Sequence, residues 1–138
     1  EITHIYLMVI RKSDKFLLDS DISIWITRQN NRVADAVLSV MGRKTAAISV
    51  MTVAEIYKGW RSSEEKTYQD FFAIHTTISP DLAIAEVAGK YWQEYKRFNP
   101  NIVDYLIAAS CRVYKLTLLT TNTKHFPMKD IKVINPLS

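Results

Sequence analysis

Four acidic or amide side chains stand where an apolar run ends or a helical pattern begins. Asp19 directly follows the apolar residues 16–18, and Glu55 lies in the first turn of a helix predicted after a second apolar run. Asp104 opens an otherwise apolar helical segment, and Asn122 directly follows a late apolar run. Carboxylates that meet at one place repel one another, so such a cluster usually holds a cation. Ligands that are all oxygen favour Mg²⁺ or Mn²⁺ over zinc or copper.

Each of these side chains also has a purely structural explanation, and both interpretations are open on spacing alone. Asp21 is the kind of residue that caps a helix N-terminus. Glu55 would complete a capping box with Thr52, and Asn122 is a common turn residue. A carboxylate among apolar neighbours, such as Asp104, is costly unless it is paired or bound to a metal, which favours a functional role there.

The elements that must position these side chains alternate along the chain. Short apolar runs predict buried strands, and apolar residues at helical spacing between them predict amphipathic helices. This alternation predicts a three-layer α/β/α domain with a mostly parallel central sheet. Such a sheet binds ligands at the carboxyl ends of its strands. The strands are predicted at residues 16–18, 46–50, 76–78, 116–120 and 131–134.

Particular residues predict where the helices end and which faces they bury. Gly42 is a predicted helix stop, and Asp81 is the predicted cap of the longest helix. A further helix is predicted over residues 102–114. The predicted core-facing stripe of the longest helix consists of Leu82, Ala85, Ala88, Trp92, Tyr95 and Phe98.

Composition indicates one ordinary globular domain. The chain has 138 residues, 48% hydrophobic and 23% charged, and its net charge of +4 permits a nucleic-acid partner without requiring one. The single Cys111 excludes a disulfide framework and weakly favours the cytoplasm. The apolar residues 5–10 are too few to cross a bilayer, and basic residues follow them where a signal peptide would carry them first. We expect residues 1–15 to be an appendage and residues 16–138 to form the domain.

Four stretches resemble, in family order, the motifs of PIN-domain ribonucleases. They are residues 15–22 around Asp19, 48–59 around Glu55, 101–109 around Asp104 and 119–126 around Asn122. Together they span about residues 15 to 135 and are most similar to the VapC-type toxins of bacterial toxin–antitoxin pairs. The resemblance implies a PIN-like fold.

The resemblance also implies roles for single residues. Asn122 matches a position that is often Asp in the family, so this neutral side chain would support a metal less strongly. Asp21 and Thr120 match supporting positions. The implied acidic metal-site residues are Asp19, Glu55 and Asp104, with Mg²⁺ as the expected ion and Mn²⁺ as an alternative.

The implied activity is an endoribonuclease toxin that a VapB-like antitoxin neutralises. Hydrolysis by in-line attack of water would leave a 5′-phosphate and a 3′-hydroxyl, with no protein nucleophile. The family further implies a homodimer, with no membrane involved. Basic residues that could flank the RNA path, or equally form a solvated basic face, are Lys58, Arg61, Arg43 and Lys44.

Two other classes of function compete with this one. A non-catalytic module that binds RNA or protein through the same fold is favoured by the amide of Asn122 in place of an acid. A phosphoacceptor signalling domain also uses an Asp pair on a parallel sheet, but it needs a strand-end Lys where this chain has Thr-Thr-Asn. His125 is interpreted as a surface turn residue rather than a phosphate ligand, and Cys111 as a packing residue.

Overall fold

A parallel sheet forms the centre of the computed structural model, which describes residues 6–99 and 101–138. Its strands within that part of the chain are β1 (Asp14–Leu18), β2 (Thr45–Ser49), β3 (Thr76–Ile78), β4 (Thr117–Leu119) and β5 (Val133–Ile134). They lie in the order β3-β2-β1-β4-β5, and every neighbouring pair is parallel. Because β1 is central, the residues that follow it lie beside those that follow β2 and β4.

Helices cover both faces of this sheet, as buried parallel strands require. In the described residues they are α1 (Ser20–Thr27), α2 (Asn31–Met41), α3 (Val50–Lys58), α4 (Glu65–Ile74), α5 (Leu82–Tyr95) and α6 (Ile102–Tyr114), with short 3-10 turns at Ser62–Glu64 and Thr123–His125. The predicted three-layer α/β/α architecture is confirmed. None of the described helices is both long and apolar enough to cross a membrane.

Consecutive residues of β1 build the two halves of the core. Leu17 packs on one face with residues of α5 and α6, and Leu18 packs on the other with residues of α1, α2, α3 and α4. Side chains of a strand alternate between the faces of a sheet, so this short apolar run serves both layers. Both leucines are fully buried, which fixes β1 and the position of the residue that follows it.

One of the predicted helix boundaries is confirmed and another is wrong. The helix stop at Gly42 is confirmed, with a φ of 59° that favours glycine. The predicted cap Thr52 lies inside α3, because the chain turns directly from β2 into the helix and Ser49 provides the cap. The Thr52 hydroxyl instead shares a hydrogen bond of 2.9 Å with Ser20 of α1.

The core-facing side of α5 also differs from the predicted stripe. Asp81 caps the helix as expected, by accepting a hydrogen bond from the backbone N–H of Ile84. Ile84, Ala88 and Tyr91 are the buried residues of this helix, at the same three-to-four-residue spacing as the predicted set. Leu82 and Phe98 of the predicted stripe are 75% and 64% exposed, because Leu82 lies on a different side of the helix from Ile84 and Ala88, and Phe98 lies beyond the end of α5.

The segment before β1 packs along the opposite end of the sheet from the end of β1. Leu7 pairs with Thr76 at the start of the edge strand β3. Arg11 donates a hydrogen bond of 2.8 Å to the carbonyl of Ile74 and pairs with Asp14 at 3.1 Å. Residues 1–5, and with them part of the predicted appendage, lie outside the described residues, so the boundary at residue 15 stays a prediction.

Asp14 connects this segment to the sheet. Its buried carboxylate accepts hydrogen bonds from the hydroxyls of Thr45 and Thr76, both at 2.6 Å, and from the backbone N–H of Arg11 at 2.8 Å. Burial alone would raise the pKa of Asp14, but the hydrogen bonds from Thr45, Thr76 and Arg11 outweigh it and hold the pKa below its ordinary value of 3.8. The charged form of Asp14 therefore connects β1 to the segment before it and to the starts of β2 and β3.

We expect Asp14→Asn to lower the free energy of unfolding by about 2 kcal/mol at neutral pH, because it loses charge-assisted hydrogen bonds. A carboxylate whose pKa is lower in the folded state stabilises the protein at pH values above its unfolded-state pKa. This stabilisation is lost as the pH falls through the folded-state pKa. The difference from the parent should therefore shrink below pH 3.8 in urea unfolding curves. Asp35→Asn, at an exposed position on α2, is the control. A difference that does not depend on pH would contradict this role.

Candidate metal centre

A cleft of about 270 Å³ opens where β1 and β4 end. Its walls come from the residues after these strands and from the first two turns of α3 and α6, as the parallel topology requires. The cleft brings together five residues that the sequence singles out: Asp19, Asp21, Glu55, Asp104 and Asn122.

Asp19 is buried at the end of the central strand. One carboxylate oxygen accepts a hydrogen bond of 2.8 Å from the backbone N–H of Ser20, and the other accepts one of 2.8 Å from the hydroxyl of Thr120. Burial, with the nearby charges of Asp21 and Asp104, raises the pKa of Asp19 to about 6 despite these hydrogen bonds. A cation in the cleft would relieve both the burial cost and the repulsion.

Asp104 faces the cleft from the first turn of α6. Its Oδ2 accepts a hydrogen bond of 2.8 Å from Nδ2 of Asn99 and lies 3.3 Å from Nδ1 of His125. Among the residues that the structure describes, no hydrogen-bond donor is recorded for Oδ1 of Asp104. His125 thus contacts a site residue, although its side chain is 51% exposed, as expected of a surface turn residue.

Asn99 is a site residue that the sequence does not reveal. It is only 6% exposed, and its Nδ2 also donates to the carbonyl of His125 at 3.2 Å. Its Oδ1 accepts from the backbone N–H of Asn101 at 3.0 Å, and its carbonyl accepts from the hydroxyl of Tyr105. An Asn before a proline indicates only a turn, so no local signal distinguishes it.

Asp21 fixes the loop after β4 rather than capping α1. Asp19 occupies the cap position, and the carboxylate of Asp21 accepts from both the backbone N–H of Thr121, at 2.9 Å, and the hydroxyl of Thr121. Its other oxygen accepts from the backbone N–H of Ile22 at 2.8 Å. These contacts hold the beginning of α1 against the segment that carries Asn122.

Glu55 and Lys58 stand at the rim of the cleft on α3. The side chain of Glu55 is 45% exposed, and its Oε2 lies 3.2 Å from the ammonium of Lys58. Glu55 is not a capping-box partner, because α3 begins at Val50. Arg61 lies 4.0 Å from Glu64, beyond the end of the helix.

The structure does not bring Arg43 and Lys44 to the cleft. Both precede β2 and therefore lie at the amino end of a parallel strand, whereas the cleft lies at the carboxyl ends. Lys44 lines an apolar groove between α2 and α4 instead. Proximity of these residues to the second motif in the sequence did not indicate which end of β2 they occupy.

The donor set fits a hydrated Mg²⁺ or Mn²⁺ ion. In residues 6–99 and 101–138, no group of three or more His, Cys, Asp or Glu side chains could hold a metal ion by itself. Mg²⁺ typically keeps several waters and takes only one or two carboxylates together with substrate phosphates. The oxygen donors of Asp19, Glu55 and Asp104 around one open cleft suit such an ion, and a closed zinc site does not match them.

The one cysteine has no part in the cleft. Cys111 is 1% exposed on the buried face of α6, and burial raises the pKa of its thiol far above the ordinary range. A neutral, inaccessible thiol cannot act as a nucleophile. The predicted packing role of Cys111 is confirmed.

Comparisons with known proteins agree with this architecture. The toxin–antitoxin complex from Klebsiella pneumoniae contains a chain that superposes with a TM-score of 0.75 at 26% identity, covering 88% of this chain and 98% of that one. A chain of VapBC2 from Rickettsia felis, bound to a DNA fragment from their promoter, superposes with a TM-score of 0.73 at 19% identity, covering 87% and 97%. The second likeness shows the fold alone.

Sequence comparison identifies the family. Ribonuclease VapC10 of Mycobacterium tuberculosis (strain ATCC 25618 / H37Rv) is 35% identical over 114 residues, which cover 81% of this chain and 86% of that protein. Ribonuclease VapC19 of the same strain is 38% identical over 86 residues, which cover 59% and 67%. The family model described as PIN domain matches residues 16–132. The resemblance predicted from the four motifs is confirmed, and the chain belongs to the PIN domain family.

Proposed function

We propose that this protein is a metal-dependent endoribonuclease toxin that a cognate antitoxin neutralises. The observation that carries the proposal is the gathering of Asp19, Glu55 and Asp104 around one cleft at the carboxyl edge of the sheet. Relatives named as ribonucleases, and a similar chain in a toxin–antitoxin complex, support the same activity. We propose that it acts in the cytoplasm, where an RNA substrate is found.

In this proposal Asp19 and Asp104 hold a Mg²⁺ or Mn²⁺ ion, and Glu55 and Asn122 complete the walls of its site. A bound divalent ion lowers the pKa of a water molecule and neutralises charge on a transferring phosphate. Thr120 orients the carboxylate of Asp19 through its 2.8 Å hydrogen bond. Asp21 supports the site indirectly, because its hydrogen bonds with Thr121 fix the loop after β4 that carries Asn122.

The reaction is hydrolysis of an RNA phosphodiester by water. The attacking oxygen forms a bond to phosphorus, the bond from phosphorus to the 3′ oxygen breaks, and the products carry a 5′-phosphate and a 3′-hydroxyl. The ammonium of Lys58, exposed at the rim, is placed to contact a neighbouring phosphate, and Arg61 extends this path beyond α3. No covalent bond to the protein forms.

An apolar groove of about 310 Å³ supports the antitoxin as a partner. It lies between α1, α2 and α4, and Leu38 and Ile74 at its walls are 62% and 61% exposed. A groove of this kind fits the apolar face of a partner helix.

We also propose a homodimer, since Trp25 and Trp60, half exposed near the first two motifs, offer apolar area to a second copy.

A non-catalytic binding module is the second candidate. The observation that favours it is Asn122, whose amide lines the cleft where an acid would bind a metal more strongly. Calorimetric titration with Mn²⁺ separates the two candidates. The binding module predicts no uptake at millimolar concentrations, whereas the nuclease predicts uptake in the cleft.

We expect Asp104→Asn to reduce RNA cleavage by more than about 100-fold. This loss is larger than the one usually caused by removing a residue that only hydrogen-bonds to a metal ligand. The amide has nearly the same shape but cannot supply a charged ligand, so the thermal unfolding midpoint should stay close to that of the parent. Cleavage is measured on total RNA with Mg²⁺ present, and Asp35→Asn serves as the matched control. A folded Asp104→Asn protein that cleaves as well as the parent would contradict the assignment.

Asn99→Ala tests whether Asn99 is a positioning residue for Asp104. We expect the Mn²⁺ affinity to fall about 10-fold, as it does when a residue that hydrogen-bonds to a metal ligand is removed. We also expect kcat to fall while KM for RNA stays unchanged. Asn30→Ala is the matched control, because Asn30 caps α2 far from the cleft and its loss costs about 1 kcal/mol of stability. The role is excluded if both variants bind Mn²⁺ as tightly as the parent.

A further inference from the structure

Exposed cations are concentrated at the amino-terminal edge of the sheet, which faces away from the cleft. The topology explains their position, since residues that shortly precede or begin parallel strands all lie at this edge. All six of the side chains concerned are exposed. The surface they form is called the basic edge and consists of Lys12, Lys15, Arg43, Lys44, Lys115 and Lys132.

Four of these cations form a row across adjacent strands. Lys44 and Lys132 directly precede β2 and β5, and Lys12 and Lys115 lie two residues before β1 and β4. These strands are neighbours in the order β2-β1-β4-β5. Adjacent strands lie about 4.8 Å apart, so the row spans about 14 Å. Such a row suits a polyanion whose charges follow one another closely along a backbone.

Within the described residues, the basic edge lacks acidic partners. Two acids near it, Asp14 and Asp130, already pair with Arg11 at 3.1 Å and with Arg112 at 3.2 Å. Among the described residues, no carboxylate is recorded in an ion pair with any of the six cations. The net charge of +4 therefore understates the positive charge of this surface, since the cleft holds several of the acids.

Part of the basic edge is concave. Arg112, Lys115 and Lys132 line one depression of about 240 Å³ together with Asp130. Lysines dominate the surface, and lysine is depleted from protein–protein interfaces but is a common contact to nucleic-acid phosphates. These features favour a nucleic acid over a protein as the occupant.

We propose that the basic edge is a second RNA-binding surface, which holds backbone phosphates of RNA that extends beyond the cleft. This inference rests on the proposed function, because that function supplies RNA as the polyanion. Binding at this edge carries no sequence information and needs no metal, since phosphate contacts with lysine are electrostatic. Folded RNA long enough to reach both edges gains affinity that a short oligonucleotide in the cleft does not.

The test measures the affinity of a long structured RNA by fluorescence anisotropy at several salt concentrations. All proteins carry Asp104→Asn, and EDTA is present, so neither cleavage nor a metal contributes. Lys44→Gln, Lys115→Gln and Lys132→Gln are combined in one variant. We expect the slope of log affinity against log salt to become shallower by about 2 to 3, the range for three lost contacts to single-stranded or duplex phosphates.

A matched variant with the same net charge controls for bulk electrostatics. It combines Arg32→Gln, Lys66→Gln and Lys90→Gln, all at exposed positions on α2, α4 and α5. The proposal expects its slope to match that of the parent. Equal losses in the two triple variants, or no loss in the basic-edge variant, would overturn it. DNA of the same length that binds the basic edge more tightly than RNA would overturn it as well.

Cleavage assays keep this inference separate from the proposed nuclease. In the Asp104-containing protein, the three basic-edge substitutions should leave kcat on a short oligoribonucleotide unchanged and raise KM only for the long RNA. If the parent cleaves no RNA, the nuclease assignment fails while salt-dependent binding at the basic edge is still measurable. If KM for the short and long RNA rise equally, the second surface is excluded.

Discussion

Negative charge gathered in a partly buried place is the constraint on which the proposed site depends. Asp19 is buried at the end of the central strand, and the charges of Asp21 and Asp104 lie near enough to raise its pKa to about 6. The fold offsets this cost locally with hydrogen bonds from Ser20 and Thr120. It does not remove the repulsion, so a divalent cation is the natural counter-charge.

The order of the strands makes this arrangement possible. Because β1 is central, the residues after β1 and β4 and those on α3 and α6 reach one cleft from four directions. Full burial of Leu17 and Leu18 on opposite faces fixes the strand that carries Asp19. The same topology separates charge across the sheet, with acids at the carboxyl edge and exposed lysines at the amino edge. The domain therefore carries two electrostatically distinct surfaces.

The sequence predicts the architecture and most of the cleft, because both depend on local patterns. Apolar runs identify the strands, and four short motifs identify Asp19, Glu55, Asp104 and Asn122, which the structure brings together. Contacts between distant segments are not visible in this way. Asn99, an ordinary residue before a proline, donates hydrogen bonds to Asp104 and to the carbonyl of His125, which lies 26 positions further along the chain, and no local motif shows that these groups meet.

The positions of charged residues relative to the sheet were harder to predict than the strands themselves. Arg43 and Lys44 lie close in sequence to the second motif, yet they occupy the amino end of β2 while Glu55 stands beyond its carboxyl end. Similarly, Asp21 is of a residue type that often caps helices, but Asp19 occupies the cap position of α1, and Asp21 accepts a hydrogen bond from the backbone N–H of Thr121 instead. In each case the three-dimensional direction of the chain, rather than residue type, decides the role.

The most direct test of the account is anomalous diffraction from crystals of the full chain soaked in Mn²⁺. A metal held by these side chains predicts an anomalous peak in the cleft, within direct or water-mediated reach of the carboxylates of Asp19 and Asp104, and no such peak in crystals of Asp104→Asn. A cleft that stays empty in the parent, while the same protein cleaves RNA, would contradict a metal held by these carboxylates.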